Sequence, residues 1–171
     1  MKRIVMTAIF LIAAGAVVMA QKYAYVDQEY IFGNIPAYVQ AQDRLEAWTE
    51  QYQAELAEKR KSIEQMYAAY QSEASRISAD VRRQREDAII QAEKDYKEQQ
   101  RQYFGPEGEM FQKEQKLLQP IRERVQQAVE NLAVSGGYAV IFDKAAGLSM
   151  IYANPQYDLS NLVLEKLGYK K

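Results

Sequence analysis

The chain contains no cysteine and no histidine. Without cysteine there is no disulfide, no thiolate nucleophile, no zinc finger and no iron–sulfur cluster. Without histidine there is no imidazole base, no histidine metal site and no Ser-His-Asp apparatus. Glycine and proline are scarce, 8 and 4 in 171 residues, and none builds a phosphate-cradling loop. Carboxylates are plentiful, but pairs such as Glu86-Asp87 and Glu107…Glu109 occupy neighbouring positions that do not face one another on a helix. No acid and base converge on one reacting atom, no helical stretch carries metal-ligand spacing, and no cofactor is expected. A binding, structural or assembly role remains.

What is present begins with an address. Lys2 and Arg3 precede an apolar run from Ile4 to Val18, and Val18-Met19-Ala20 places small or modest residues before Gln21. That is the three-part layout of a secretory signal peptide, with cleavage after Ala20. The run of 15 residues is short of the about 20 that cross a bilayer. With no cysteine after the cleavage site, lipoprotein anchoring is excluded. The exported chain keeps 20 basic residues against 23 acidic ones, a net charge of −3. An acidic exported chain is a poor nucleic-acid binder.

From about residue 37 to 132 the chain is rich in Gln, Glu, Lys, Arg and Ala, all good helix formers. A stripe runs Tyr38, Ala41, Leu45, Trp48, Tyr52, Leu56, Lys59, Ile63, Met66, Tyr70, Ala74, Ile77. Its mean step is about 3.5, the period of a coiled-coil seam. A returning stripe runs Ala88, Ala92, Tyr96, Gln99, Tyr103, then resumes as Leu118, Ile121, Val125, Ala128, Leu132. The pattern predicts a long antiparallel helical hairpin. Its tip falls in residues 71–80, with Ser78 or Asp80 capping the return. Residues 104–108, Phe-Gly-Pro-Glu-Gly, interrupt the returning arm as a kink or short loop. A mild bend is expected at Pro120.

The chain ends have strand composition. Tyr23-Ala24-Tyr25-Val26-Asp27 reads as one strand, residues 138–143 after Gly136-Gly137 as a second, and residues 150–153 as a third. Asp158 reads as the N-cap of a helix from Leu159 to Leu167, with Leu159, Leu162, Val163 and Leu167 as its apolar face and Gly168 past its end. Three short strands and one short helix make a marginal body with open sheet edges, which self-association would close. The expected fold is α+β and mostly α: a helical hairpin of residues 37–132 on a small β-body formed by residues 21–36 and 133–171.

These segments resemble the Skp/OmpH family of periplasmic chaperones. The likeness lies in the order of elements: a signal peptide, Tyr25-Val26-Asp27, a charged hairpin, Gly137-Tyr138-Ala139-Val140-Ile141-Phe142-Asp143, Ile151-Tyr152-Ala153, and Asp158-Leu159-Ser160…Val163-Leu164. It implies a homotrimer with a β-barrel body and three helical tentacles around a cavity that holds unfolded outer-membrane proteins without nucleotide. Tyr25, Val26, Val140, Ile141, Phe142 and Ile151 become oligomer-body candidates. The chain departs from the strongly basic members in its net charge and in the break at residues 105–108.

Arg76, Arg82, Arg83 and Arg85 against Asp80 give a local +3 near the tip, a candidate contact for acidic clients or for membrane and lipopolysaccharide phosphates. The bland alternative is a charged, solvated helix end. Lys59-Arg60-Lys61, surrounded by Glu55, Glu58 and Glu64, reads as a solvated face. Tyr38, Trp48, Tyr52, Met66 and Tyr70 lie on the stripe and read as seam. Tyr67 lies off it and is the better client-contact candidate. The functional expectation is an ATP-independent holdase. The rival is a coiled-coil envelope protein that spaces or tethers other components, although a rigid tether calls for a stronger Leu/Ile seam.

Overall fold

The computed structural model describes residues 21–147 and 150–169. The expected signal peptide, residues 1–20, lies outside them. The element order is β1 (Lys22–Val26), α1 (Gln28–Gly33), α2 (Pro36–Glu73), α3 (Ala79–Phe104), α4 (Glu109–Gly136), β2 (Tyr138–Asp143), a 3-10 turn (Pro155–Tyr157) and α5 (Ser160–Lys166). The expected class holds: a mostly helical α+β chain with a small sheet from its two ends. It divides into two compact units. One comprises the described residues up to Ile31 and from Gln127 onward; the other is Phe32–Gln126.

In the first unit β1 and β2 pair in parallel, Tyr23 with Val140, Ala24 with Ile141, Tyr25 with Phe142 and Val26 with Asp143. Parallel neighbours need a long crossover, and the helices supply it. Gly137, with φ of 67°, makes the turn from α4 into β2 that a side chain would resist. Ala24, Tyr25 and Val26 are buried in succession, so β1 is covered on both faces. Its second edge is taken by an isolated bridge from Tyr25 to Asp158, with the Leu159 N–H donating to the Tyr25 carbonyl at 2.9 Å. Residues 150–153 form no strand. Both edges of β1 are occupied, and Ile151 and Tyr152 stand 99 % and 77 % exposed. Leu148 and Ser149 in the preceding loop lie outside the described residues.

Two end elements differ from expectation. Helix α1 was not anticipated; Asp27 starts it, its carboxylate accepting from Tyr30 N–H at 3.0 Å. Helix α5 is capped by Leu159 rather than Asp158. Asp158 acts one step out, accepting from the Ser160 N–H at 2.8 Å and the Ser160 hydroxyl at 2.5 Å. Its buried face is Leu159, Ser160, Val163 and Leu164, whereas Leu162 is exposed. Gly168 lies past its end with φ of 90°, as expected.

In the second unit α2 starts with Pro36 at its first turn, where the missing N–H costs nothing. Its 38 residues span about 57 Å. The turn falls between Glu73 and Ala79, inside the expected tip, and Ser78 caps α3 by accepting from the Val81 N–H. Burial follows the α2 stripe: Ala41, Tyr52 and Leu56 are buried, and its other members are half-buried except exposed Lys59. On the return, Ile89 is buried and Ala88 exposed, one residue out of the expected phase; the larger side chain takes the inward position. Residues 105–108 separate α3 from α4, and Pro120 sits within a continuous α4.

Candidate functional site

The described residues contain no helix long and apolar enough to cross a membrane and no cluster of three or more potential metal ligands. Two surfaces and one internal network carry the chemistry.

The first surface belongs to the sheet. Tyr25 and Val26 are buried and Ile141 half-buried, while Val140 and Phe142 stay 42 % and 41 % exposed. Tyr23, Tyr152 and Tyr157 are exposed beside them. With Tyr138 and Met150 these aromatics line an open hollow of about 820 Å³. Isolated apolar side chains are ordinary on a surface, but a contiguous aromatic group marks a contact face. Beneath it, hydrogen bonds set where the strands end. Ser160, 2 % exposed, accepts from the Asp27 N–H at 2.9 Å. Asp143 accepts from the Gln28 and Ala145 N–H groups at 3.2 and 3.0 Å. Ile151, offered by the sequence for this body, sits outside the sheet.

The second surface is the hairpin tip. Arg82 donates to the Ala74 carbonyl at 2.6 Å, and Arg85 pairs with Glu73 at 2.7 Å. Both fasten the turn across its two helices. Arg76 and Arg83 remain exposed. The four arginines therefore separate into two that hold the tip and two that face solvent. Tyr67 is 41 % exposed, as its off-stripe position predicts, and its hydroxyl donates to Glu93 across the hairpin at 3.1 Å.

The network lies between α2 and the returning arm. Tyr52 and Tyr103 stack with centroids 3.9 Å apart and planes 6° from parallel. Phe104 meets both rings edge-on. The Tyr52 hydroxyl donates to Glu109, and the Tyr103 hydroxyl donates to Glu55. Toward the tip, Tyr70 donates to Glu86. Lys113 lies 4.7 Å from the Trp48 ring centre and 5.8 Å from that of Tyr52, within cation–π range. These bonds set the titration. The carboxylates that accept from Tyr52, Tyr103, Tyr67 and Tyr70 raise all four phenols above their ordinary pKa, because a phenolate beside a carboxylate is disfavoured. The Tyr103 hydroxyl, then the Gln51 amide, hold Glu55 below the ordinary glutamate range. The Tyr52 oxygen, first among its neighbours, raises Lys113.

Sequence reasoning placed Tyr52 and Tyr70 on the seam and missed their partners Glu109 and Glu86. One signal was available: a seam tyrosine must find an acceptor for its hydroxyl. Glu109 lay beyond a break whose geometry sequence alone does not fix.

An antiparallel helical hairpin and a parallel sheet made from the two chain ends define a mostly helical α+β class. The chain belongs to the OmpH-like outer membrane protein family, whose pattern matches residues 22–167. It is similar to the chaperone protein Skp of Yersinia enterocolitica, at 27 % identity over 161 residues, spanning 91 % of this chain and 92 % of that one. Its fold is similar to the crystal structure of a candidate OmpH-like outer membrane chaperone from Caulobacter crescentus CB15, with TM-score 0.64 and 18 % identity, covering 86 % of this chain and 83 % of that one. The Skp/OmpH resemblance is thereby established, and the family is one of outer membrane chaperones.

Proposed function

We propose that the chain is an ATP-independent periplasmic holdase, exported by a signal peptide cleaved after Ala20, that keeps unfolded outer-membrane β-barrel proteins from aggregating. Residues 37–132 serve as the arm and residues 21–36 with 133–171 as a trimerisation body. The observation that carries this reading is the set of apolar side chains left open along the hairpin: Tyr67, Ile90, Phe104 and Phe111 are each about 40–50 % exposed. They are spaced along the arm, so each contact with a client is weak. Many weak contacts sum through effective concentration, and each releases singly. No nucleotide is needed when folding at the membrane drains the complex.

The open sheet face supports self-association. Val140, Phe142, Tyr23, Tyr152 and Tyr157 would be covered by neighbouring subunits, leaving Tyr25, Val26 and Ile141 in the shared body. Arg76 and Arg83 are the tip groups open to acidic client segments or to lipopolysaccharide phosphates. A spacer or tether draws no support from a seam of Tyr, Ala and Gln that is mostly half-buried. The test is dilution of a urea-unfolded outer-membrane barrel protein into buffer with residues 21–171. Suppressed light scattering at one trimer per client is expected; unsuppressed aggregation removes the holdase reading. Light scattering of the protein alone is expected to give the mass of a trimer.

A further inference from the structure

The returning arm is severed at residues 105–108, yet α2 is continuous opposite the cut. Within the break the backbone is held by single turns: Gly105 N–H to the Arg101 carbonyl at 2.8 Å, Gly108 N–H to Gly105 at 2.9 Å, and Gln112 N–H to Gly108 at 3.1 Å. A Cβ at Gly108 would lie 2.8 to 2.9 Å from backbone atoms of Gln102, Gly105 and Tyr103, so the chain folds back on itself closely there. The two sides of the cut are joined through α2. Tyr103, two residues before Gly105, donates to Glu55 of α2; Tyr52 of α2 donates to Glu109, the first residue after the cut. The rings stack between these crossed bonds. Grooves of about 430 and 350 Å³ flank Phe104 on either side. The grooves leave Phe104 open, while the stacked rings are buried with Leu56.

We propose that the stacked Tyr52–Tyr103 pair and its crossed carboxylates Glu55 and Glu109 form a proton-operated latch over residues 105–108. With the carboxylates ionised it binds α3 and α4 to α2 as one continuous arm; protonated, it frees the glycine segment to act as a joint. A hydroxyl donating to a carboxylate makes a charge-assisted bond, roughly twice as strong as the neutral bond left after protonation. Lys59 of α2 faces Glu55; Lys113 of α4 faces Glu109, which also accepts from the Gln102 amide of α3 at 3.4 Å. Lys113 lies 3.7 Å from Glu109; Arg44 of α2 lies 5.4 Å over Trp48. The Gln99 side-chain oxygen beside Tyr103 is buried without a hydrogen-bond partner, so the surroundings hold an acceptor that a released Tyr103 hydroxyl can seek.

The direction follows from Glu55. Its folded pKa is depressed by Tyr103, so its contribution is present above the unfolded pKa and lost as pH falls through the folded one. The latch opens on the acid side, below the ordinary glutamate range, and is closed at neutral pH. It does not depend on what the arm carries.

Hydrogen–deuterium exchange on residues 21–171, corrected for intrinsic rates, reads it directly. Protection of residues 104–112 is expected to fall about tenfold as pH drops from about 7 to below the ordinary glutamate range, before residues 22–26 and 138–143 lose theirs. In E55Q/E109Q, where the acceptors remain but do not titrate, that local pH dependence is expected to vanish. Loss of protection in all three segments together overturns the latch, as does a pH profile at residues 104–112 unchanged by E55Q/E109Q. A variant that fails to fold leaves the parent profile to decide.

Discussion

The sheet-bearing unit and the hairpin hold themselves together by different chemistry. In the sheet unit Ala24, Tyr25, Val26, Ile31, Leu159, Val163 and Leu164 are all buried, and Ser160, the buried polar side chain among the described residues, bonds to Asp27 just after β1 and to Asp158 just before α5. In the middle of the hairpin the buried cluster is Tyr52, Leu56 and Tyr103, with Tyr96 and Met110 packed against it. Two of its three members are tyrosines that end on carboxylates. Apolar burial is indifferent to pH and strict about shape. Hydroxyl–carboxylate bonds are directional, titratable and reversible. The sheet unit uses the first; the middle of the hairpin adds the second.

The difference can be broken most severely from the sheet side. Ile31 is 0 % exposed, and Ile31→Ala is expected to cost about 2–5 kcal/mol through lost burial and a residual cavity; urea unfolding followed by circular dichroism measures it. A loss of surface size, under about 0.5 kcal/mol, would mean that this core is not closed. Ser160→Ala strands the Asp27 N–H and is expected to cost about 1–3 kcal/mol, read in the same way. Tyr103→Phe keeps the stacked ring and removes the bond donated to Glu55 and the one accepted from the Gln99 amide, for about 1–3 kcal/mol, with faster amide exchange at residues 104–112 and none at 138–143.

Alkaline titration sharpens the contrast more gently. The phenols of Tyr52, Tyr103 and Tyr70 are raised in the fold. Their contribution is therefore full below the unfolded pKa, near 10, and is lost as pH rises through the folded values. Helical signal is expected to decline above that point, with phenolate absorbance appearing later than in the urea-unfolded chain. The smallest effect belongs to Tyr67→Phe. Its bond to Glu93 is exposed, no shift in the unfolding midpoint is expected, and a measurable one would make that pair part of the seam.

Much of this was legible in the residues. The stripe predicted the inward face of α2 from Tyr38 to Tyr70, apart from exposed Lys59, because a long helix with one partner must keep one phase. The tip and its Ser78 cap were legible from a local cluster of serines, and residues 105–108 from the backbone limits of glycine and proline. The return stripe held from Ala92 to Leu132 and slipped by one residue only at its start, since Ala88 and Ile89 are adjacent apolar residues and only packing chooses between them. The proposed third strand is absent because strand composition does not reveal pairing: the second edge of β1 goes to Asp158, and residues 150–153 pair with neither strand. Likewise the four tip arginines look alike in sequence, and only the turn geometry gives Arg82 and Arg85 partners across it.

By itself the sequence determined a histidine- and cysteine-free chain, a helical hairpin between two sheet-forming ends, and the family to which that order belongs. Those properties follow from local propensity and periodicity, which act over a few residues at a time. The tertiary structure alone decided the parallel register of β1 and β2, the tyrosine–carboxylate pairs that cross the hairpin, and the side chains left open to solvent. Each joins residues far apart in the chain, and no local rule carries the geometry that brings them within hydrogen-bond reach.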